Sequence, residues 1–168
     1  KVESKIGALP GLLKLADHVL LGGGLSNLLL RLKGYEIGKS NAGTKADEKI
    51  AKGLHRTYKD KLVLPLDVVV SRSVDGRPEC VKIDKVSPGE IILDVGPQTI
   101  LLYSKIIKEA QTLLWNGPLG HFEQKQFSHG TFALSRLLAA RSGVRAFAMA
   151  GGGETLEVIR RENFLSHF

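Results

Sequence analysis

Two turn-forming segments, each lying between an apolar run and a helical pattern, most constrain how this chain can fold. The first reads Trp-Asn-Gly-Pro-Leu-Gly-His-Phe-Glu over residues 115–123, and the second reads Gly-Gly-Gly-Glu-Thr over residues 151–155. A strand that passes through a glycine-rich turn into a helix is typical of parallel α/β folds. Because the carboxyl ends of parallel strands share one edge of a sheet, the two turns predict a single ligand held along that edge.

Apolar runs and helical patterns alternate along the rest of the chain. Continuous apolar runs that end in turn signals predict buried strands, at residues 19–21, 62–70, 91–93, 112–115 and 144–150. The segments between them predict helices, at residues 25–33, 45–59, 97–109, 122–141 and 155–161. This alternation predicts one Rossmann-like, three-layer α/β/α domain over residues 1–168, with a mainly parallel sheet.

One segment, residues 71–88, breaks the alternation. It contains Asp75-Gly76, a hairpin turn signal, between the apolar residues 68–70 and a second strand-like stretch at residues 80–83. We expect a small antiparallel excursion here.

The composition favours a globular protein with anionic partners. Hydrophobic residues make up 43% of the chain, and no apolar run approaches the roughly 20 residues that span a bilayer. The net charge of +7 favours phosphorylated metabolites. Nucleic acid is not expected, because the basic residues are dispersed and no aromatic residues are interleaved with them to stack bases. No membrane association is expected either.

The cysteine and methionine content indicates where the protein is located in the cell and whether the sequence is a whole chain. Cys80 is the single cysteine, so no intrachain disulfide can form, which fits a cytoplasmic protein. Its alternating surroundings indicate a packing or surface residue rather than a reactive thiol. Met149 is the single methionine and there is no initiator methionine, so we expect a piece of a longer chain.

The turn at residues 151–155 has the chemistry of a phosphate site. Gly151, Gly152 and Gly153 would expose backbone N–H groups at a helix start, and Thr155 adds a hydroxyl. Glu154 adds a carboxylate that could hold Mg²⁺. The alternative is a capped helix with a carboxylate in its first turn.

A third glycine-rich turn and two polar side chains have weaker signals. Gly22, Gly23 and Gly24 follow a strand and open a helix, which allows either close approach of a ligand or simply a tight turn. Asn116 and Glu123 suit ribose hydroxyls, although turn formation and a helix-terminal charge explain them equally well.

Lys1 and Lys5 are four residues apart and would share one face of a helix. In isolation, such a pair is typical of a solvated helix face.

These motifs together resemble the nucleotide-binding lobe of the phosphoglycerate kinase family. That family has a Trp-Asn-Gly-Pro-x-Gly-x-Phe-Glu segment and a later Gly-Gly-Gly-Asp-[Ser/Thr] segment. Further matching segments, in the family's order, are Lys1-Val2-Glu3-Ser4-Lys5-Ile6, Ile37-Gly38-Lys39-Ser40, Leu64-Pro65-Leu66-Asp67-Val68-Val69, Asp94-Val95-Gly96-Pro97-Gln98-Thr99, Gly130-Thr131 and Leu165-Ser166-His167-Phe168. The resemblance covers essentially the whole chain.

The resemblance implies a kinase that moves a phosphoryl group between 1,3-bisphosphoglycerate and ADP with Mg²⁺. It places Lys1 at the transferring phosphoryl group, Lys5 at the nucleotide phosphates and Glu154 at the metal, with Gly152 as a further catalytic position. The implied ATP/ADP-binding positions are Gly22, Gly23, Gly24, Leu93, Asn116, Pro118, Gly120, Glu123, Gly151, Gly152, Gly153 and Thr155. The 3-phosphoglycerate side would belong to an N-terminal lobe outside this sequence, so the isolated, monomeric fragment is expected to be inactive.

Four positions depart from the family pattern. Ser4 and Glu154 stand at Asp positions, Ile92 stands at a glycine against which adenine lies, and His121 stands at a small apolar residue. The family's final glycine-rich turn does not follow residue 168. These departures favour a second hypothesis, a non-catalytic binding or scaffold domain that keeps the fold and has lost the nucleotide.

Overall fold

The computed structural model describes residues 2–168, and it alternates helices with short strands. The helices are α1 (Val2–Leu15), α2 (Gly23–Leu32), α3 (Lys45–Tyr58), α4 (Pro97–Glu109), α5 (His129–Arg141) and α6 (Gly153–Arg161). The strands are β1 (Val19–Leu20), β2 (Leu62–Val63), β3 (Asp67–Ser71), β4 (Glu79–Lys82), β5 (Ile91–Val95), β6 (Thr112–Asn116) and β7 (Phe147–Gly151). Short 3₁₀ turns lie at Ile83–Lys85, Lys125–Phe127 and Leu165–His167.

The predicted α/β class is confirmed, and the strands pair in both directions. β1 pairs with β2, and β6 with β7, in parallel, while β3 pairs antiparallel with both β4 and β5. The antiparallel excursion predicted around Asp75-Gly76 is therefore confirmed. The prediction that residues 91–93 belong to a parallel strand is wrong, because β5 pairs antiparallel with β3. A continuous apolar run shows that a strand is buried on both faces, but it does not determine the direction of the strand.

Two predicted elements differ in the structure, because one strand is divided and one helix begins later than expected. The run 62–70 forms β2 and β3, which belong to different sheets, because Pro65 lies between them and has no N–H to donate to a ladder. The helix predicted over 122–141 begins only at His129. Residues 122–128 form a turn and a 3₁₀ segment, since Phe122 and Phe127 are both buried and draw this backbone against the core.

Two hydrophobic clusters form the core. The first joins α1, α2 and α3 to β3, and its fully buried members include Leu13, Leu28 and Val70. The second joins α4 and α5 to β6 and β7 around Tyr103 and Leu113. The Tyr103 hydroxyl donates to the carbonyl oxygens of Leu21 (2.6 Å) and Val63 (3.1 Å), so α4 also supports the first parallel pair.

Asp67 and Thr99 fasten α4 to β3. The Asp67 carboxylate accepts hydrogen bonds from the backbone N–H groups of Gln98 (3.0 Å) and Thr99 (2.8 Å), and from the Thr99 hydroxyl (2.7 Å). Both residues are buried. A carboxylate on the first N–H groups of a helix satisfies donors that have no intrahelical partner.

No helix among residues 2–168 has the length and apolarity needed to cross a membrane.

Candidate functional site

The two glycine-rich turns start from paired residues. Asn116, the last residue of β6, is the register partner of Gly151, the last residue of β7. The residues that follow have positive φ, +99° at Gly117 and +93° at Gly152. Residues with side chains rarely adopt this conformation, so glycine is required where each strand turns toward its helix.

Thr155 connects the two turns. It is fully buried in the first turn of α6, and its hydroxyl oxygen accepts a 2.7 Å hydrogen bond from the Gly117 N–H. The sequence predicted only a ligand contact for this hydroxyl. The structure adds an internal role, which is to hold the β6 turn against the N-terminus of α6.

Lys5 reaches the same place from α1. Its Nζ lies 3.2 Å from the carbonyl oxygen and 3.5 Å from the side-chain Oδ1 of Asn116. A methyl group at Gly117 would overlap the Lys5 ammonium. The fold therefore brings together three segments far apart in sequence: Lys5, the Asn116-Gly117 turn and the start of α6. Lys1, predicted to act with Lys5, lies outside the described residues.

The turn at residues 22–24 packs against the turn after β6. A methyl group at Gly22 would overlap Leu119, and the Gly23 N–H donates to the Leu119 carbonyl oxygen at 3.1 Å. A methyl group at Gly24 would lie 2.7 Å from Cγ2 of Val2. Packing within the chain is therefore enough to explain why glycine occupies positions 22 and 24, whether or not a ligand binds beside them.

The loop between β6 and α5 is fastened at several points. The His121 N–H donates to the Leu93 carbonyl oxygen at 2.7 Å. The N–H groups of Leu119 and Gly120 donate to the Thr131 hydroxyl at 3.1 and 3.2 Å. Leu93 is itself buried, so it positions the loop through its backbone. Pro118 is half-buried at the start of the loop.

Asp94 lies beneath this loop, and its sequence context alone assigned it no role. Its carboxylate accepts from the N–H groups of Val95 (2.9 Å) and Gly130 (2.8 Å). Methyl groups at Gly120 or Gly130 would overlap the carboxylate or crowd it closely. Burial raises its pKa from 3.8 to about 7, against the opposing effect of the two N–H donors. The sequence feature that could have pointed to Asp94 is that it is the single carboxylate in the apolar run 91–95.

His121 and Glu123 project from the outer side of the loop. Phe122 between them is buried, and the guanidinium of Arg161 lies 5.0 Å from its ring centroid. The Nδ1 atom of His121 is 3.7 Å from the Glu123 carboxylate, and both side chains are nearly half exposed. The structure therefore places Glu123 on the open side of the loop, paired with a histidine.

Glu154 is exposed in the first turn of α6. Within residues 2–168, no group of three or more His, Cys, Asp or Glu side chains is arranged to hold a metal ion. A single accessible carboxylate fits Mg²⁺ in the manner of nucleotide sites, where the ion keeps several waters and takes one or two carboxylates together with phosphate oxygens. The Glu154 carboxylate thus fits a metal ion that is bound together with a phosphorylated ligand.

The site as a whole has the features of an anion-binding edge of an α/β domain: a helix N-terminus, a lysine and glycine-rich strand ends. The family model for phosphoglycerate kinase matches residues 1–168. The chain belongs to the phosphoglycerate kinase family.

Individual relatives agree with this family. The chain is 40% identical over 172 residues to a phosphoglycerate kinase of Macrococcus caseolyticus, covering 100% of this chain and 42% of the relative. It is 38% identical over 165 residues to that of Nitratidesulfovibrio vulgaris, covering 96% and 41%. The solved phosphoglycerate kinase of Coxiella burnetii superposes with a TM-score of 0.92 at 36% identity, covering 100% of this chain and 44% of that one. The Pyrococcus horikoshii enzyme gives 0.83 at 26% identity, covering 96% and 42%.

Two conclusions follow from these likenesses. The structural agreement with the solved kinases confirms the Rossmann-like α/β/α fold predicted from the sequence. The chain also spans less than half the length of the relatives that it matches.

Proposed function

We propose that this chain is the ATP/ADP-binding lobe of a phosphoglycerate kinase, which transfers a phosphoryl group between 1,3-bisphosphoglycerate and ADP. The observation that carries the proposal is the meeting of Lys5, the Asn116-Gly117 turn and the N-terminus of α6. A helix N-terminus bears about half a positive charge, and Lys5 adds a full one beside it. Such a site attracts the phosphates of a nucleotide.

Different residues would bind different parts of the nucleotide. Gly151, Gly152, Gly153 and Thr155 would bind phosphates at α6, and Lys1 and Lys5 would place positive charge around the transferred group. Phosphoryl transfer needs mainly such positioning and charge. Mg²⁺ held by Glu154 would neutralise phosphate oxygens during transfer.

The nucleoside would lie toward the loop after β6. Asn116 and Glu123 would bind the ribose, and the backbone around Gly22, Gly23, Gly24, Leu93, Pro118 and Gly120 would flank the adenine. The 3-phosphoglycerate would be bound by a part of the protein outside these residues. We further propose that the protein acts in the cytoplasm as a monomer, in glycolysis.

A second candidate is a non-catalytic, phosphoglycerate-kinase-like binding or scaffold domain. The observation in its favour is that Gly22, Gly24 and Thr155 have internal contacts that would preserve them without any ligand. In addition, Ile92 packs against the first core cluster, so its side chain contributes to the fold without any ligand.

Calorimetric titration with ADP and Mg²⁺ separates the two candidates. The kinase-lobe proposal expects saturable ADP binding, weakened about tenfold or more in Lys5→Met, because hydrogen bonds to charged groups contribute about 1.5–3 kcal/mol. Lys14→Met is the matched control, since Lys14 is exposed at the far end of the same helix. A folded chain that binds no ADP at millimolar concentration would overturn the proposal and favour the scaffold domain.

A further inference from the structure

The loop after β6 presents two side chains whose relative position is set by the backbone. The His121 N–H is bonded to Leu93, and the Gln124 N–H donates back to the His121 carbonyl oxygen at 3.1 Å. Phe122 is buried between them. The turn closed by this bond leaves His121 and Glu123 side by side at the surface, with their side chains in contact.

This arrangement puts the His121 ring beside the carboxylate that is proposed to accept ribose hydroxyls. The His121 Nδ1 and the Glu123 carboxylate are 3.7 Å apart, with 42% and 48% of their side chains exposed. The neighbouring Gln124 amide donates instead to Asp75 on the β3–β4 hairpin, at 3.2 Å. The basic side chain in contact with the Glu123 carboxylate is His121.

We propose that His121 is a specificity-determining residue of this site: its ring contacts the Glu123 carboxylate, and the 2′,3′-diol of a bound ribonucleotide must displace it. The inference rests on the proposed function, because it assumes that Glu123 faces the sugar. A diol and the His121 ring nitrogen compete for the same carboxylate oxygens. His121 consequently lowers the affinity for ribonucleotides and leaves the affinity for nucleotides without the diol unchanged.

The test is a comparison of ADP with 2′,3′-dideoxy-ADP, titrated calorimetrically into the 168-residue chain and its variants. His121→Ala should tighten ADP binding by about two- to fivefold, the range of an exposed ion pair, and leave dideoxy-ADP binding unchanged. His121→Lys, which places an ammonium group beside Glu123, should not tighten ADP binding. His18→Ala, at an exposed histidine before β1, is the control and should alter neither affinity.

A double-mutant cycle assigns the effect to the pair. In the Glu123→Gln background the carboxylate is absent, so adding His121→Ala should no longer change ADP binding. Thermal melts establish that each variant is folded.

The outcomes separate the inference from the function on which it rests. Equal changes in ADP and dideoxy-ADP affinity, or weaker ADP binding in His121→Ala, would overturn the role of His121 while leaving nucleotide binding intact. An effect of His121→Ala that persists in Glu123→Gln would overturn that role as well. If folded forms of the chain bind neither nucleotide, the proposed function fails, and the inference fails with it.

Discussion

At the scale of single residues, the glycines and Thr155 show how a ligand signal and a packing requirement can coincide. Gly22 lies where a side chain would overlap Leu119, and Gly117 has a φ of +99°, which residues with side chains rarely adopt. Thr155 supplies an acceptor for a buried backbone N–H. These residues would be needed to build the site even before any nucleotide enters it.

Thr155→Val should lower the free energy of unfolding by about 1–3 kcal/mol, the cost of leaving a buried donor unsatisfied. The substitution keeps the shape of the side chain and removes the acceptor of the Gly117 N–H. Urea denaturation measures the change. Thr57→Val is the matched control, because the Thr57 hydroxyl is exposed and bonds only to its own helix, at the Gly53 carbonyl oxygen. Its effect should stay within about 0.5 kcal/mol, and equal effects of the two substitutions would contradict the prediction.

Asp94 makes the stability of the chain depend on pH. Its folded-state pKa is raised from 3.8 to about 7, so the folded state takes up a proton before the unfolded state does. The carboxylate therefore destabilises the fold above pH 7, and this destabilisation is relieved as pH falls from about 7 toward 4.

The measurement is the difference in unfolding free energy between pH 8 and pH 5, in the unmodified chain and in Asp94→Asn. The unmodified chain should gain about 2–3 kcal/mol relative to the variant as the pH falls, from the conversion of about 1.4 kcal/mol per pKa unit. Parallel pH profiles of the two proteins would show that the buried carboxylate is not responsible.

At the scale of elements, side chains from one element complete the ends of another. Asp67, at the start of β3, bonds to the first N–H groups of α4. The Thr99 hydroxyl shares its one proton between the Asp67 carboxylate and the Asp67 carbonyl oxygen, at 2.7 and 2.8 Å, and accepts from the Leu66 N–H at 3.0 Å. The segments Leu-Pro-Leu-Asp and Gly-Pro-Gln-Thr thus form one unit in space, although 32 residues separate Asp67 from Thr99.

Asp67→Ala should destabilise the fold by at least about 2 kcal/mol, because it removes a helix cap and leaves buried donors without an acceptor. Chemical denaturation followed by circular dichroism provides the measurement. Asp84→Ala, at an exposed aspartate in the neighbouring 3₁₀ turn, should change stability by less than about 0.5 kcal/mol. A comparable small loss for Asp67→Ala would mean that α4 does not depend on this carboxylate.

At the scale of the whole molecule, the chain contains the residues proposed to bind one of the two substrates, the nucleotide. It spans 42% of the Macrococcus caseolyticus relative and 44% of the solved Coxiella burnetii chain. Transfer between two substrates requires both to be held in line and shielded from water. The described residues supply a proposed nucleotide site and no assigned site for the phosphoglycerate.

The purified 168-residue chain should therefore show no phosphoglycerate kinase activity, even if it binds ADP. A coupled assay with 3-phosphoglycerate, ATP and Mg²⁺ tests this, with a full-length kinase as positive control. Turnover well above a blank without protein would contradict the expectation.

The sequence by itself determined the α/β class, the family and the approximate limits of most helices. Hydrophobic periodicity and turn-forming residues are local properties of a sequence. Pro97 therefore predicted the start of α4 correctly, and Asp75-Gly76 predicted the hairpin. The order of the glycine-rich motifs was likewise readable without a structure. Strand direction in β5 and the late start of α5 were not readable, because they depend on which distant segments bury those residues.

Only the tertiary structure decided which polar groups meet. Lys5 and Asn116 are 111 residues apart, and no local pattern reports that contact. Asp94 is perturbed because the backbone of a later helix and loop closes over it. Desolvation and hydrogen bonding act over a few ångströms in space, whatever the separation along the chain. The chemical character of the site therefore arises from packing that the sequence specifies only through the complete fold.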